Sequence, residues 1–244
     1  MKGVILSINP AVEIIDITHD IAPQDIRAGA FNLLAVYRDF PLDTIHVAVV
    51  DPGVGSHRRA ILIECARQFF IGPDNGIFSW ICQRERDWRA REITNPKIFR
   101  GAISSTFHGR DVFAPAAAAL SKGSNGEEFG AAIDKIIELE SLVPTMLADG
   151  TIQGTIIHID RFGNCITNLT GDYFHAGAKL TTNNIEINSV RRFFSEDSNS
   201  KDELFLILGS AGFIEIAARN ASAASILKAR SGQSVVLIND ALPH

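Results

Sequence analysis

Hydrophobic positions along the chain follow two periods, and they define most of its elements. Val4–Ile8 is an apolar run stopped by Asn9-Pro10 and reads as a short buried strand, and Val12–Ile17 reads as another. From Ala22 to Phe40 the apolar residues Ile26, Ala30, Leu33, Tyr37 and Phe40 recur at the spacing of one helical face, with Asp25 in the first turn where it complements the helix dipole. Ile45–Val50 is almost continuously apolar and ends at Asp51, the pattern of a strand covered on both faces in a parallel sheet. Ala60–Glu64 and Gln68–Ile71 read as further strands, and Gly72-Pro73-Asp74-Asn75-Gly76 as a tight turn. Ile77–Gln83 reads as a short helix. Thr106–Ser121 reads as a longer one, with Val112, Ala116 and Leu120 in register and Pro115 marking a bend.

Beyond residue 145 the pattern changes to short strands separated by Gly, Asn, Asp and Ser clusters: Thr151–Ile159, Cys165–Leu169, Ile185–Val190, Leu204–Leu208, Phe213–Ala218 and Ser234–Ile238. The expected architecture is therefore an α/β domain with a mainly parallel sheet over residues 1–145, followed by a smaller all-β, barrel-like domain over residues 150–244. The joint falls in Leu142–Gly150. Ser195–Asp202 is polar and reads as an exposed loop. No internal repeat or low-complexity segment is present.

Composition narrows the function classes. Among 244 residues, 46% are hydrophobic and 21% charged, so the chain is globular rather than disordered. A net charge of -5 argues against nucleic acid or an anionic membrane as partner. The three cysteines, Cys65, Cys82 and Cys165, are odd in number and lack C-x-x-C spacing. They read as small apolar residues in a reducing, cytoplasmic compartment rather than as a disulfide framework or zinc site. The apolar run at the start is too short for a secretory segment, and none approaches the ~18 residues that span a bilayer.

Five clusters carry candidate chemistry. Asp51-Pro52-Gly53-Val54-Gly55, followed by Ser56-His57-Arg58-Arg59, puts an acid at the C-terminal end of a buried strand, where open α/β sheets face their ligands. The same acid could equally satisfy loop amides, and the loop lacks the Gly-Lys-Ser/Thr ending of a P-loop. Asp74-Asn75 within the Gly-Pro turn fits a plain tight turn as well as a ligand contact. Phe107-His108-Gly109-Arg110-Asp111 combines an aromatic, an imidazole, a guanidinium and a carboxylate at a helix start. Asp160-Arg161-Phe162-Gly163-Asn164 offers acceptors and donors suited to a ribose or a base edge, or forms a hairpin turn. Gly209-Ser210-Ala211-Gly212-Phe213-Ile214-Glu215, continuing to Arg219-Asn220, has small residues that let a ligand reach the backbone.

In this order and spacing, the five clusters resemble the S-adenosylmethionine hydroxide adenosyltransferase family, relatives of the fluorinases and chlorinases, over essentially the whole chain. The resemblance implies hydrolysis of S-adenosylmethionine to adenosine and L-methionine with no cofactor or metal. It implies a catalytic set of Asp51, the Arg seven residues later (Arg58) and His108. It places Asp74, Asn75, Phe107, Gly109, Asp160, Asn164, Ser210, Glu215 and Asn220 on the substrate. It also implies a homotrimer whose substrate lies between the N-terminal domain of one subunit and the C-terminal domain of the next.

The chemistry suits those roles. A sulfonium leaves as a neutral thioether, so no general acid is needed, only an oxygen nucleophile held in line and shielded from competing water. Arg58 would favour hydroxide character in that water, while Asp51 and His108 would orient it and take its proton. Halogenating relatives carry Tyr or other residues where this chain has Asp51 and His108, and Ser in place of Gly109. A carboxylate beside the nucleophile would repel a halide. One departure is expected to matter: family members usually begin with a strand and a Thr-Asp-Phe-Gly motif upstream of a segment like Met1–Ile5. The expected consequences are a gap in the N-terminal sheet and weaker ribose binding. Two other readings stay open: an inactive homologue that only binds adenosine or S-adenosylmethionine, and a metal-dependent hydrolase using Asp51, Asp74, His108 and Asp111.

Overall fold

The computed structural model describes residues 1–174, 177–195 and 203–238, which form two compact units, Met1–Glu140 and Ser141–His244. Two residues decide how the first unit's sheet is paired. Ala66 and Arg67 both take left-handed backbone (φ 53° and 57°) and close a two-residue hairpin between β2 (Ala60–Cys65) and β3 (Gln68–Pro73). So short a link permits only antiparallel pairing. β4 (Trp88–Glu92) is antiparallel to β2, and β5 (Ala132–Ile133) to β4. Only β1 (Ile45–Val47) against β3 is parallel. The sheet, in the order β1-β3-β2-β4-β5, is thus mixed, which corrects the expectation of a mainly parallel one.

Helix α2 (Ile26–Val36) forms where expected. Asp25 caps it by accepting from the Ala28 N–H at 2.9 Å, and Tyr37–Asp39 adds a 3₁₀ turn. The first two expected strands do not form. Lys2–Ile8 is a helix, α1, because Val4, Ile5 and Ile8 lie at helical spacing and bury against α4 (Ala114–Ser121), while Leu6 faces out. Val12–Ile17 has no regular structure and no ladder partner. The short helix after the Gly-Pro turn is α3 (Ser79–Glu85). The helix expected from Thr106 begins only as a widened π-type turn over Gly109–Phe113, in which the Ala114 N–H donates to the Gly109 carbonyl. Pro115, without an N–H, cannot bond the carbonyl of Asp111, and the wider turn absorbs that loss before α4 begins.

The second unit is an eight-stranded antiparallel sheet. Its path runs β10 (Ile185–Ile187), β9 (Lys179–Thr182), β13 (Ser234–Ile238), β7 (Ile152–Ile159), β8 (Cys165–Thr170), β12 (Phe213–Ala218), β11 (Leu204–Leu208), with β6 (Thr145–Met146) beside β7. A bridge from Val190 to Leu206 draws its two ends toward closure, so the sheet is barrel-like. Ile156, Leu169, Leu180, Ile214, Ile216 and Val235 fill the interior, and the short helix α5 (Ala223–Leu227) packs on it. Most of the polar stretch Ser195–Asp202 lies outside the described residues.

Candidate active site

Asp51, Arg58 and His108 meet in the first unit, though they stand up to 57 positions apart in sequence. Asp51 lies four residues past the end of β1, and Arg58 lies two residues before β2, on the connection between them. Gly55, at φ 78°, lets the loop turn back: a Cβ there would lie 2.1 Å from the Ser105 carbonyl oxygen, so a side chain would push the loop away from the His108 segment.

Arg58 grips Asp51 with a two-pronged contact, Nε to Oδ1 at 2.9 Å and Nη2 to Oδ2 at 2.5 Å. Both side chains are more than nine-tenths buried. The same Nη2 donates to His108 Nδ1 at 2.6 Å, and Nη1 donates to the Arg59 carbonyl at 3.3 Å. The guanidinium also lies over the Phe113 ring, 5.2 Å from its centroid. Arginine can only donate, so His108 Nδ1 must accept. The imidazole is therefore neutral and carries its proton on Nε2. The electrostatics agree: burial and the Arg58 charge lower the His108 pKa, against the opposing pull of Asp51 and Asp111.

The other residues expected in this unit have different surroundings. Asp74 is buried and engaged at both oxygens: Oδ2 accepts from Arg59 Nε at 2.9 Å and Nη2 at 2.5 Å, and Oδ1 from the Ile137 N–H at 2.8 Å. Asn75 Nδ2 donates to the Val50 carbonyl at 2.8 Å, one residue ahead of Asp51. Phe107 is 59% exposed and stacks under Arg110. Gly109 faces Met1, whose Sδ would lie 3.3 Å from an added Cβ. Asp111 accepts from Arg110 and from the Ser104 N–H, which hold its carboxyl down at about 2. Sequence reading did not single out Phe113 or the Arg59–Asp74 pair; their cue is the aromatic and basic residues adjoining the candidate motifs. Among the described residues, no three His, Cys, Asp or Glu side chains are grouped to hold a metal ion.

In the second unit, Asp160 organises its own turn. Oδ1 accepts from the N–H groups of Phe162 and Asn164, and Oδ2 from Asn164 Nδ2, each at 2.9 Å. Gly163 (φ 84°) lets this turn pass Ser222, whose Oγ would sit 2.0 Å from an added Cβ. Strand register sorts the remaining residues. Ile216 pairs with Cys165, so Asn220, left-handed just past β12, shares the end of the sheet where the Asp160–Asn164 turn lies. Phe213 pairs with Thr170, which puts Ser210 at the opposite end. Glu215 lies between them, its carboxylate against Gly209. Burial, reinforced by the Asp160 charge, pushes its pKa up to about 7.

The comparisons with known proteins follow the same division. The model of the SAM hydroxide adenosyltransferase N-terminal domain matches residues 1–130, and that of the C-terminal domain matches residues 154–236. A Thermus thermophilus protein named (R)-S-adenosyl-L-methionine hydrolase is 34% identical, over 98% of this chain and 92% of its own. A protein of the same name from Methanocaldococcus jannaschii is 36% identical, over 88% and 81%. The crystal structure of a conserved protein from Thermotoga maritima superposes with a TM-score of 0.86 at 32% identity, covering 98% of this chain and 93% of that one. With both of its domain models matched in order and relatives above 30% identity along nearly its full length, the chain belongs to the S-adenosylmethionine hydroxide adenosyltransferase family.

Proposed function

We infer that this protein hydrolyses S-adenosyl-L-methionine to adenosine and L-methionine. The observation that carries the inference is the Asp51–Arg58–His108 cluster, which presents an oriented carboxylate and a neutral imidazole on a rigid guanidinium strut. Water attacks ribose C5′, the C5′–S bond breaks, and sulfur keeps the electron pair as the thioether of methionine. The water oxygen becomes the 5′-hydroxyl of adenosine, and its proton passes to Asp51 and then to solvent. Each Asp51 oxygen uses one lone pair on Arg58 and has another to accept from the water. Arg58 fixes the carboxylate's direction, so the nucleophile arrives along one line at little entropic cost. His108, neutral at physiological pH, offers Nε2–H to the water or the ribose. The leaving group departs uncharged, so the reaction needs no cofactor and no metal.

The reading assigns substrate contacts to Phe107 and Gly109 beside His108, and to Asp160, Asn164, Ser210, Glu215 and Asn220 in the second unit. It includes a homotrimer, which sedimentation velocity checks. It also places the enzyme in the cytoplasm. Burial, the first cause in each case, raises all three free thiols, Cys65 and Cys165 to about 12, which fits inert residues of a reducing compartment. Among the described residues, no helix is long and apolar enough to cross a membrane.

The deciding experiment incubates the purified chain with S-adenosylmethionine in heavy-oxygen water, with chelator and without halide, and follows adenosine and methionine by mass spectrometry. Label in the 5′-hydroxyl, lost in Asp51→Ala, is the expected result. Tight binding without product would favour the binding-only homologue, and halide-dependent formation of 5′-halo-5′-deoxyadenosine would favour a halogenase.

A further inference from the structure

Hydrogen bonds hold Arg58 within the plane of its guanidinium, and something else holds the plane. The group donates to both Asp51 oxygens, to His108 Nδ1 and to the Arg59 carbonyl. All of these bonds run along the plane of the fork, because guanidinium N–H groups point nowhere else. They fix where the fork aims, but they resist tipping of its plane weakly, since bends of up to about 30° cost a hydrogen bond little. Tipping is opposed by whatever lies on the two faces. One face is covered by the Phe113 ring, whose centroid is 5.2 Å from Arg58 Cζ.

The ring has its own support. Phe113 is fully buried in the first unit's core, in one cluster with Leu62, Ile71, Ala117 and Phe129. It reaches Arg58 because of the widened turn over Gly109–Phe113. In a regular α-helix, residues five apart lie about 140° from each other around the axis. The added residue in this turn, marked by the Ala114 N–H donating to the Gly109 carbonyl, closes that angle and brings His108 and Phe113 toward one side. A single turn therefore meets one guanidinium twice, with an imidazole at its edge and an aromatic ring at its face.

We propose that Phe113 is a positioning residue for the reaction: its ring holds the Arg58 plane level, so that the Asp51 carboxylate and His108 Nε2–H converge on one nucleophile. The attraction is between the guanidinium charge and the electron-rich face of the ring, and desolvation strengthens it, the Arg58 side chain being only 8% exposed. An aliphatic side chain would fill the same core volume without that attraction. A tipped fork would draw Nη2 away from Nδ1, and the imidazole could then carry its proton on either nitrogen. The kinetic consequence rests on the proposed hydrolysis of S-adenosylmethionine; the tautomer of His108 does not.

The test replaces Phe113, in the whole chain, by phenylalanines of increasing ring fluorination, which drains the ring face of electron density at nearly constant shape. A truncation such as Phe113→Leu would be less telling, since it also hollows the core. Turnover of S-adenosylmethionine should fall in step with fluorination, to about a tenth for the fully fluorinated ring, with KM within about twofold of the parent. In the free protein, at a pH where His108 is neutral, its nitrogen-15 resonances should move from a single Nε2–H tautomer to a mixture of two. A role confined to filling the core would move neither readout. A kcat steady within about twofold along the series would overturn the proposal, as would a falling kcat with the tautomer unchanged. Should the unaltered chain not turn over S-adenosylmethionine, the reaction fails as a reading by itself, and the tautomer alone decides: a mixture upholds the role of Phe113, and an unchanged Nε2–H form overturns it.

Discussion

Arg58 is the residue on which the cluster should stand or fall, and a double-mutant cycle with Asp51 measures by how much. Arg58→Met keeps the length and the apolar contact with Phe113 but removes both bonds to Asp51 and the one to His108. It leaves a carboxylate that is 7% exposed without its counter-charge. Breaking one side of a buried pair costs about 3–5 kcal/mol, because the remaining charge stays desolvated. Asp51→Asn imposes the mirror-image cost on Arg58. The double variant removes the charge pair altogether and should be less destabilised than the sum of the singles, with a coupling of about 2–3 kcal/mol. Urea unfolding followed by tryptophan fluorescence isolates the right unit, since Trp80 and Trp88 both lie in it. Single variants that cost less than about 1 kcal/mol, or costs that add to within about 0.5 kcal/mol, would refute the strut. Turnover should follow: each single variant loses about 10²–10⁴-fold, the double little more. Arg58→Lys, with the charge but not the fork, should recover only part.

Four further outcomes follow from the geometry. Burial and Arg58 depress the His108 pKa, so its stability contribution is fully present above the ordinary value of 6.5 and is lost as pH falls from there through the folded value; His108→Gln should flatten that segment of the stability profile. Asn75→Ala frees the Val50 carbonyl and lets the Asp51 loop drift, so kcat should fall about tenfold or more with KM nearly unchanged; a raised KM at constant kcat would instead place the amide on substrate. Asp74→Ala strands Arg59 beside the Ile137 amide and should cost about 3 kcal/mol in the first unit's urea unfolding; a cost within about 0.5 kcal/mol would show that the pair is dispensable. Glu215 has its pKa raised to about 7, so its folded form favours the proton: stability falls as pH rises from 4.5 through 7, and Glu215→Gln should abolish that slope.

The second unit was the more legible in sequence, for a physical reason. Its strands are short runs rich in apolar and β-branched residues that are separated by Gly, Asn, Asp and Ser clusters, so local chemistry and tertiary structure agree; Leu204–Leu208, Phe213–Ala218 and Ser234–Ile238 fall where their pattern predicts. The first unit's opening was misread because Val4–Ile8 is too short for periodicity to separate a strand from a helix, and only the contact with α4 decides. The mixed sheet was hidden because an apolar run such as Ile45–Val50 reports burial, not strand direction. Direction came from Ala66-Arg67, two ordinary-looking residues with left-handed backbone.

The candidate site divides along a similar line. The spacing of seven between Asp51 and Arg58 could be read, and the fork it produces is a local consequence of a loop closed by Gly55. The His108 contact spans 50 positions and depends on the Gly109–Phe113 turn, which in turn depends on Pro115, so no local pattern could give its geometry. That geometry changes the chemistry assigned to the residues. From sequence, Arg58 reads as a charge that activates water and His108 as an interchangeable base. In the folded unit, Arg58 has given two bonds to the carboxylate and one to Nδ1 of the imidazole, so its charge is largely spent on orientation. Asp51 is then the group with lone pairs left to take a proton, and His108 presents a donor, not an acceptor, to whatever lies before it. A site arranged in this way favours a nucleophile that brings a proton to give up, as water does. It disfavours a bare halide, which would meet the Asp51 carboxylate with no proton to hand over.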